Sequence, residues 1–410
     1  MANNNKHTGP NVPALRFPEF SGEWKKMSLQ DCCSDFSYGL NAPAKAYDGV
    51  NKYIRITDID ENTSVYKSDD PVSPDGLLSD EYLVNENDIL FARTGASTGK
   101  TYLYNQNDGR LFYAGFLIKA NVNNNCDPYF IFSQTKTQSY RRWVEIMSTR
   151  SGQPGINSQE YASYPLYVPP KEEQEKIALL LRGLDKRILV QSKIIEELKT
   201  LRGALVDTYI NDGNNNENQT IMSLGAYGCF VRGLTYSSVD VTDNTATTGV
   251  VRSNNLEYGS PVDIKADLVY VTKKPSPEQM LVNGDIVICM ANGSSSLVGK
   301  ASNYQELCRN MTVGAFCGIY RGTHPLTKWI FMSSAYCKAV ANAIQGGNGA
   351  IANLHAEDIL SMCFAVPSDY KTITELGKLL SLFDEKLHAA EEQLVRFIEQ
   401  KKYFLFKMFI

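Results

Sequence analysis

The chain has 410 residues, 43% of them hydrophobic and 21% charged, with a formal net charge of −4. That length and balance suit an ordinary globular protein with room for two domains. No run of 18 or more apolar residues occurs, which excludes a membrane-spanning helix, and the acidic balance leaves out the strongly basic class of nucleic-acid binders, though not one whose positive field is local or supplied by a partner.

The opening stretch "MANNNKHTGPNVPALRF" has no charged-then-apolar leader pattern, so a cytoplasmic location is expected. Nine cysteines lie scattered without a C-x-x-C, and they read as reduced, mostly packing thiols. None of the four histidines stands at ligand spacing from a cysteine pair, so no metal site is expected. Residues 89–104, "ILFARTGASTGKTYLY", resemble at first glance a phosphate-cradling loop. A G-x-x-x-x-G-K-[ST] loop, however, needs four residues between its glycines, and Gly95 and Gly99 have three. The expected structure is a strand, an exposed polar loop and a second strand. A helix-like segment carrying Arg141 and Arg142 follows, then a turn region with Arg150 and Gln153.

Residues 171–210 contain no proline, and their apolar positions follow the 4-3 spacing of a coiled-coil seam: Ile177, Leu181, Leu184, Ile188, Gln191, Ile195, Leu198, Arg202, Leu205 and Tyr209. Residues 211–219, "NDGNNNENQ", read as a flexible linker. The chain then repeats itself. "MSLQDCCSDFSYGL" (27–40) is similar to "MSLGAYGCFVRGL" (222–234), "YIRITDID" (53–60) sits opposite "GVVRSNNLE" (249–257), and "LVNENDILFARTGASTGK" (83–100) sits opposite "LVNGDIVICMANGSSSLVGK" (281–300). "SGQPGINSQEYASYPLYVPP" (151–170) is matched by "GGNGAIANLHAEDILSMCFAVPS" (346–368). A second seam runs Leu376, Leu380, Phe383, Leu387, Ala390, Leu394, Phe397, Lys401, Phe404 and Met408, each 199 positions after its mate. Even the two breaks correspond, Gln191 with Ala390 and Arg202 with Lys401.

The expected segments are 1–170, with an N-terminal arm at 1–26, then a long helix at 171–210, a linker at 211–219, a second domain at 220–367 and a second helix at 368–410. Such a chain can carry an internal pseudo-two-fold, as a homodimer would. The fold class is α+β, two tandem mixed domains joined by two long helices that pair as a coiled coil. The second glycine loop has five residues between Gly293 and Gly299, with Ala301 in place of the magnesium-binding Ser/Thr. Sister loops of different length do not cradle one triphosphate, so nucleotide hydrolysis is set aside. No H-E-x-x-H or G-x-G-x-x-G occurs, and His324 and His355 read as surface or packing residues, so no enzyme site is expected.

This organisation resembles the specificity subunit of type I restriction–modification systems. The opening "PALRFPEFSGEWKKMSL" (13–29), with Arg16, Phe17, Pro18, Phe20 and Trp24, is similar to the start of many such subunits, and "VPPKEEQEKIALLLRGLDKRI" (168–188) resembles their entry into the long helix. The second copy departs, lacking the Glu-Gln pair but keeping Phe383-Asp384 where the first has Leu184-Asp185. The resemblance implies a non-catalytic DNA-recognition subunit whose helices pair antiparallel. It implies double-stranded DNA, two methyltransferase subunits and restriction/translocase subunits as partners, with S-adenosylmethionine, ATP and magnesium held only by those partners. Candidate DNA contacts are Arg93, Thr94, Ser97, Lys100, Arg141, Arg142, Arg150 and Gln153 in the first copy, and Asn292, Ser294, Ser295, Lys300, Lys338, Gln345 and Asn348 in the second. The alternative is a coiled-coil scaffold with two protein-binding domains. It is favoured by the charge of residues 1–170 (16 basic, 19 acidic) and 220–367 (ten of each).

Overall fold

The structure, a computed structural model, describes residues 10–61, 63–149, 154–213, 218–265, 267–305, 310–344 and 352–410. Its contacts divide the chain into two compact units. The first comprises the described residues through Ser192 together with Glu392–Ile410, and the second is Lys193–Glu391. This division differs from the expected segments, because each long helix is shared between the units.

The first unit is built on a four-stranded antiparallel sheet. Its strands lie in the order Cys33–Tyr38, Leu117–Val122, Asp88–Ala92 and Thr101–Leu103. The central strand Asp88–Ala92 is buried at every position, and Ile89 and Phe91 face a different apolar cluster from Leu90 and Ala92, as period-two alternation requires. A parallel pair, Lys52–Ile54 with Leu111–Tyr113, lies beside the sheet, and Lys25–Ser28 pairs with Pro165–Val168.

The second unit repeats this plan. Gly228–Arg232, Cys317–Gly322, Ile286–Cys289 and Ala301–Asn303 form its sheet in the same order. Thr248–Val251 runs parallel to Met311–Val313, and Gln219–Ser223 pairs with Cys363–Pro367. The duplication read in the sequence is therefore a duplication of topology.

The long helices are Lys171–Tyr209 and Tyr370–Lys407, 39 and 38 residues. In the first unit the early turns of the first helix, Ile177, Leu181 and Leu184, share a core with Phe404, Leu405, Met408 and Phe409 from the end of the chain. In the second unit Leu205, Val206 and Tyr209 share a core with Leu376 and Leu380. Early turns of one helix meet late turns of the other, so the pairing is antiparallel within each unit. Every expected seam position is buried or half-buried, including Ile188, Gln191, Ile195, Leu198, Phe383, Leu387, Ala390, Leu394 and Phe397. The seam residues near the helix ends do double duty, packing on their own domain as well as on the partner helix.

The charged break, Arg202 with its mate Lys401, has a tertiary explanation. The Lys401 ammonium lies 2.5 Å from the Asp185 carboxylate, which also accepts the Tyr129 hydroxyl. The Arg202 guanidinium lies 2.6 Å from Asp384, which also accepts the Lys328 ammonium. Each pair occupies the sister positions of the other, so the breaks are ion pairs at matching levels of the two units.

The linker expected at 211–219 is tied at both described ends. Asn211 and Ala365 exchange backbone hydrogen bonds of 2.9 and 3.2 Å, and Gln219 already belongs to a strand. Of the cysteines, eight are free thiols and Cys308 lies outside the described residues. No helix among the described residues is long and apolar enough to cross a membrane, and no cluster of three or more potential metal ligands occurs among them.

Candidate nucleic-acid interface

The glycine loops follow the central strand of each sheet. In the first unit the loop makes a single 3-10 turn at Gly95–Ser97 and re-enters the sheet at Thr101. In the second it is longer, with a short pairing of Ala291–Asn292 to Ala352–Asn353 and a 3-10 turn at Ser295–Leu297. The second glycine of each loop is required by packing rather than by a phosphate. Gly99 and Gly299 adopt φ of +89° and +80°, and an added Cβ would lie 2.6 Å from Val144 and 2.2 Å from Val340. The hydroxyls of Tyr140 and Tyr336 donate to the Gly99 and Gly299 carbonyls, at 3.1 and 2.8 Å. The helices Gln138–Ser148 and Ser334–Ala343 thus clamp each loop with a tyrosine and a valine one turn apart.

The sequence candidates are brought together in part. Arg93, Thr94, Ser97 and Lys100 share one loop, but they are half-buried rather than exposed, because the loop is pinned to its clamping helix and, through Gly95 N donating to Pro154 O, to the next segment. The Lys100 ammonium is 2.5 Å from Glu61, and its sister Lys300 is 3.3 Å from Glu257, so both loop lysines are already neutralised. Arg141 and Arg142 are exposed on the clamping helix. Asn292 is spent within its own unit, donating to Ser253 Oγ in the turn at Ser253–Asn255 and accepting from Ser294 N on its loop. Ser294 and Ser295 are exposed, and the Ser294 hydroxyl pairs with that of Ser296. Lys338 is exposed and lies 3.5 Å from Asp212. Arg150, Gln153, Gln345 and Asn348 lie outside the described residues.

Other residues that motif spacing passed over stand at the same sheet edge. Tyr38 ends the first strand, and its ring carries the Arg93 guanidinium 4.8 Å from its centroid. Phe116 and Phe316 sit exposed in the turns that lead into the second strand of each sheet, and Arg232 is exposed at the position of Tyr38. The signal was present in the repeat, where "AGF" at 114–116 aligns with "GAF" at 314–316, but no motif rule selects it.

The N-terminal arm is anchored separately. The Arg16 guanidinium grips Glu173 with two bonds of 2.7 Å, and the Trp24 indole donates to the same carboxylate at 3.3 Å. Arg16 and Trp24, both part of the family-like opening, therefore hold the start of the first long helix.

Residues 22–200 match the family described as Type I restriction modification DNA specificity domain. The chain is 33% identical over 112 residues to the EcoKI specificity subunit of Escherichia coli strain K12, and 32% identical over 115 residues to the StySPI specificity subunit of Salmonella potsdam. In both comparisons the aligned stretch covers 27% of this chain and 24% of the relative, about a quarter of its length. The fold likeness is far longer. The type I S subunit from M. genitalium superposes over 97% of this chain and 99% of its own, with a TM-score of 0.61 at 16% identity. A chain from a structure of the type I R-M system, addressing its complex assembly and conformational transition, superposes over 93% and 96%, with a TM-score of 0.52 at 13% identity. The domain match thus lies in residues 22–200, and the chain as a whole has the fold of the type I S-subunit structures on which it superposes.

Proposed function

We propose that this chain is the DNA-recognition subunit of a type I restriction–modification complex, without catalysis of its own. The observation that carries the reading is the repeated unit: one sheet topology occurs twice, with glycine loops of different length at the corresponding edge of each. Two such readers call for a target in two dissimilar parts, because base-edge readout follows the loops. The paired helices, about 60 Å long at 1.5 Å per residue, would hold the readers apart as a pseudo-two-fold pair, set an unread gap on the order of one helical turn of DNA, and dock two methyltransferase subunits. Restriction/translocase subunits join through those partners, which hold the S-adenosylmethionine, ATP and magnesium.

Binding-site selection on random duplexes, with the chain assembled with its methyltransferase subunits, tests this. The expected product is a bipartite, asymmetric consensus with a fixed gap. A continuous consensus, or protein partners retained without any duplex, would overturn the reading and leave the scaffold alternative.

A further inference from the structure

We propose that the DNA-contacting tips of the two units are Phe116 with Arg93, and Phe316 with Arg232, the phenyl ring meeting the bases and the guanidinium the adjoining phosphates. This rests on the proposed function and adds to it the residues that touch the target.

Three neighbouring strands of each sheet end at one level. In the first unit Tyr38 pairs with Ile118 and Ala92 with Leu117, which brings Tyr38, Phe116 and Arg93 to a common edge. The Arg93 amide donates to the Phe116 carbonyl at 3.0 Å. In the second unit Arg232 pairs with Gly318 and Cys289 with Cys317, and the Met290 amide donates to the Phe316 carbonyl at 2.8 Å. Both phenylalanines ride on the same tight turn, closed by Leu117 N donating to Ala114 O and by Cys317 N donating to Gly314 O, each at 2.8 Å. Each turn is pressed onto a glycine. A Cβ on Gly39 would stand 2.4 Å from the Ala114 carbonyl oxygen, and one on Gly233 would stand 2.2 Å from that of Gly314. The tips are therefore held in place by backbone, which is the preorganisation a reading head needs.

The chemistry of the edge selects the occupant. Phe116 is 58% exposed and Phe316 67%, which forgoes the stabilisation that burying a phenyl ring provides. The two loops differ in length, yet both copies keep this exposed ring beside an arginine. Neither Arg93 nor Arg232 has a carboxylate partner among the described residues, whereas the loop lysines do. An open aromatic ring beside a guanidinium that has no carboxylate partner among the described residues suits a polyanion that also offers apolar faces and methyl groups, which is a DNA duplex. The sister tips differ in one respect: the first stacks its arginine on Tyr38, while the second places the arginine on the strand itself and has Met290 in the loop. That difference fits readers of dissimilar half-targets.

The test uses the full chain assembled with its methyltransferase subunits on the selected duplex. Phe116→Ala is expected to weaken binding about tenfold and to relax the consensus in one half only, with Phe316→Ala doing the same in the other half. Arg93→Ala and Arg232→Ala should each reduce the slope of log K against log salt by about one. Leu77→Ala, at a side chain 95% exposed elsewhere in the first unit, is the control and should change nothing. Melting should be unaltered in the two phenylalanine variants, because the rings are in solvent. Affinity within twofold of wild type and an unchanged consensus for both phenylalanine variants would overturn this inference while the proposed function stands. Failure of the wild-type assembly to hold any duplex would overturn both.

Discussion

Replacing Arg16 by alanine should cost the first unit about 3–5 kcal/mol, because it strands the Glu173 carboxylate without its cation in an apolar surround. The pair is fully enclosed, with the two side chains 1% and 0% exposed, and it is bidentate, with Trp24 closing the remaining side of the carboxylate. Solvent screening, which reduces most surface pairs to a few tenths of a kcal/mol, does not operate here. For a unit of roughly 210 residues each kcal/mol moves the melting midpoint by about 2–4 °C, so a fall of about 6–20 °C is expected. Tryptophan fluorescence in a Trp329→Phe background reads the first unit alone, since Trp24 and Trp143 both lie in it. Arg16→Lys should lose part of the effect, because an ammonium cannot reproduce the two-pronged grip. Arg16→Met combined with Glu173→Leu should lose less than Arg16→Ala alone, since replacing a buried pair is gentler than breaking it. A midpoint shift under about 3 °C for Arg16→Ala, or a double variant as damaged as the single, would refute the argument.

Gly99→Ala and Gly299→Ala should each destabilise their own unit by about 2–4 kcal/mol in thermal melts, combining a strained backbone with the clash on Val144 or Val340. Gly22→Ala, at φ +82° with open space around the new methyl, should cost about 1 kcal/mol, and Val144→Ala should recover part of the Gly99→Ala loss. Burial holds the His324 pKa below its ordinary value, and its Nδ1 accepts the Leu326 amide, a bond only the unprotonated nitrogen can make. A base whose folded pKa is depressed contributes stability that is present above its unfolded pKa near 6.5 and is lost as the pH falls through the folded value. The second unit should therefore melt progressively lower from pH 7 to pH 5, and His324→Asn, which retains an acceptor but not the titration, should flatten that slope. Equal slopes in the two proteins would dismiss the effect.

The sequence by itself determined the features that repeat or have a period. The 4-3 spacing marked both long helices, and the positions it picked out are buried or half-buried, because a helix buries a stripe whatever lies beyond it. The duplication gave the order of parts, and the one-residue shortfall between Gly95 and Gly99 removed the nucleotide reading. What the tertiary structure alone decided were relations between residues far apart in the chain. Arg202 and Lys401 read as breaks in an apolar seam, and only folding sets Asp384 and Asp185 against them, 182 and 216 residues away. Lys100 and Lys300 read as open cations, and only folding brings Glu61 and Glu257 to neutralise them. Phe116 and Phe316 carried no local signal, since exposure is a property of what fails to pack on a side chain. Periodicity is written in neighbours along the chain, whereas charge pairing and exposure are settled by segments that meet only once the backbone has closed.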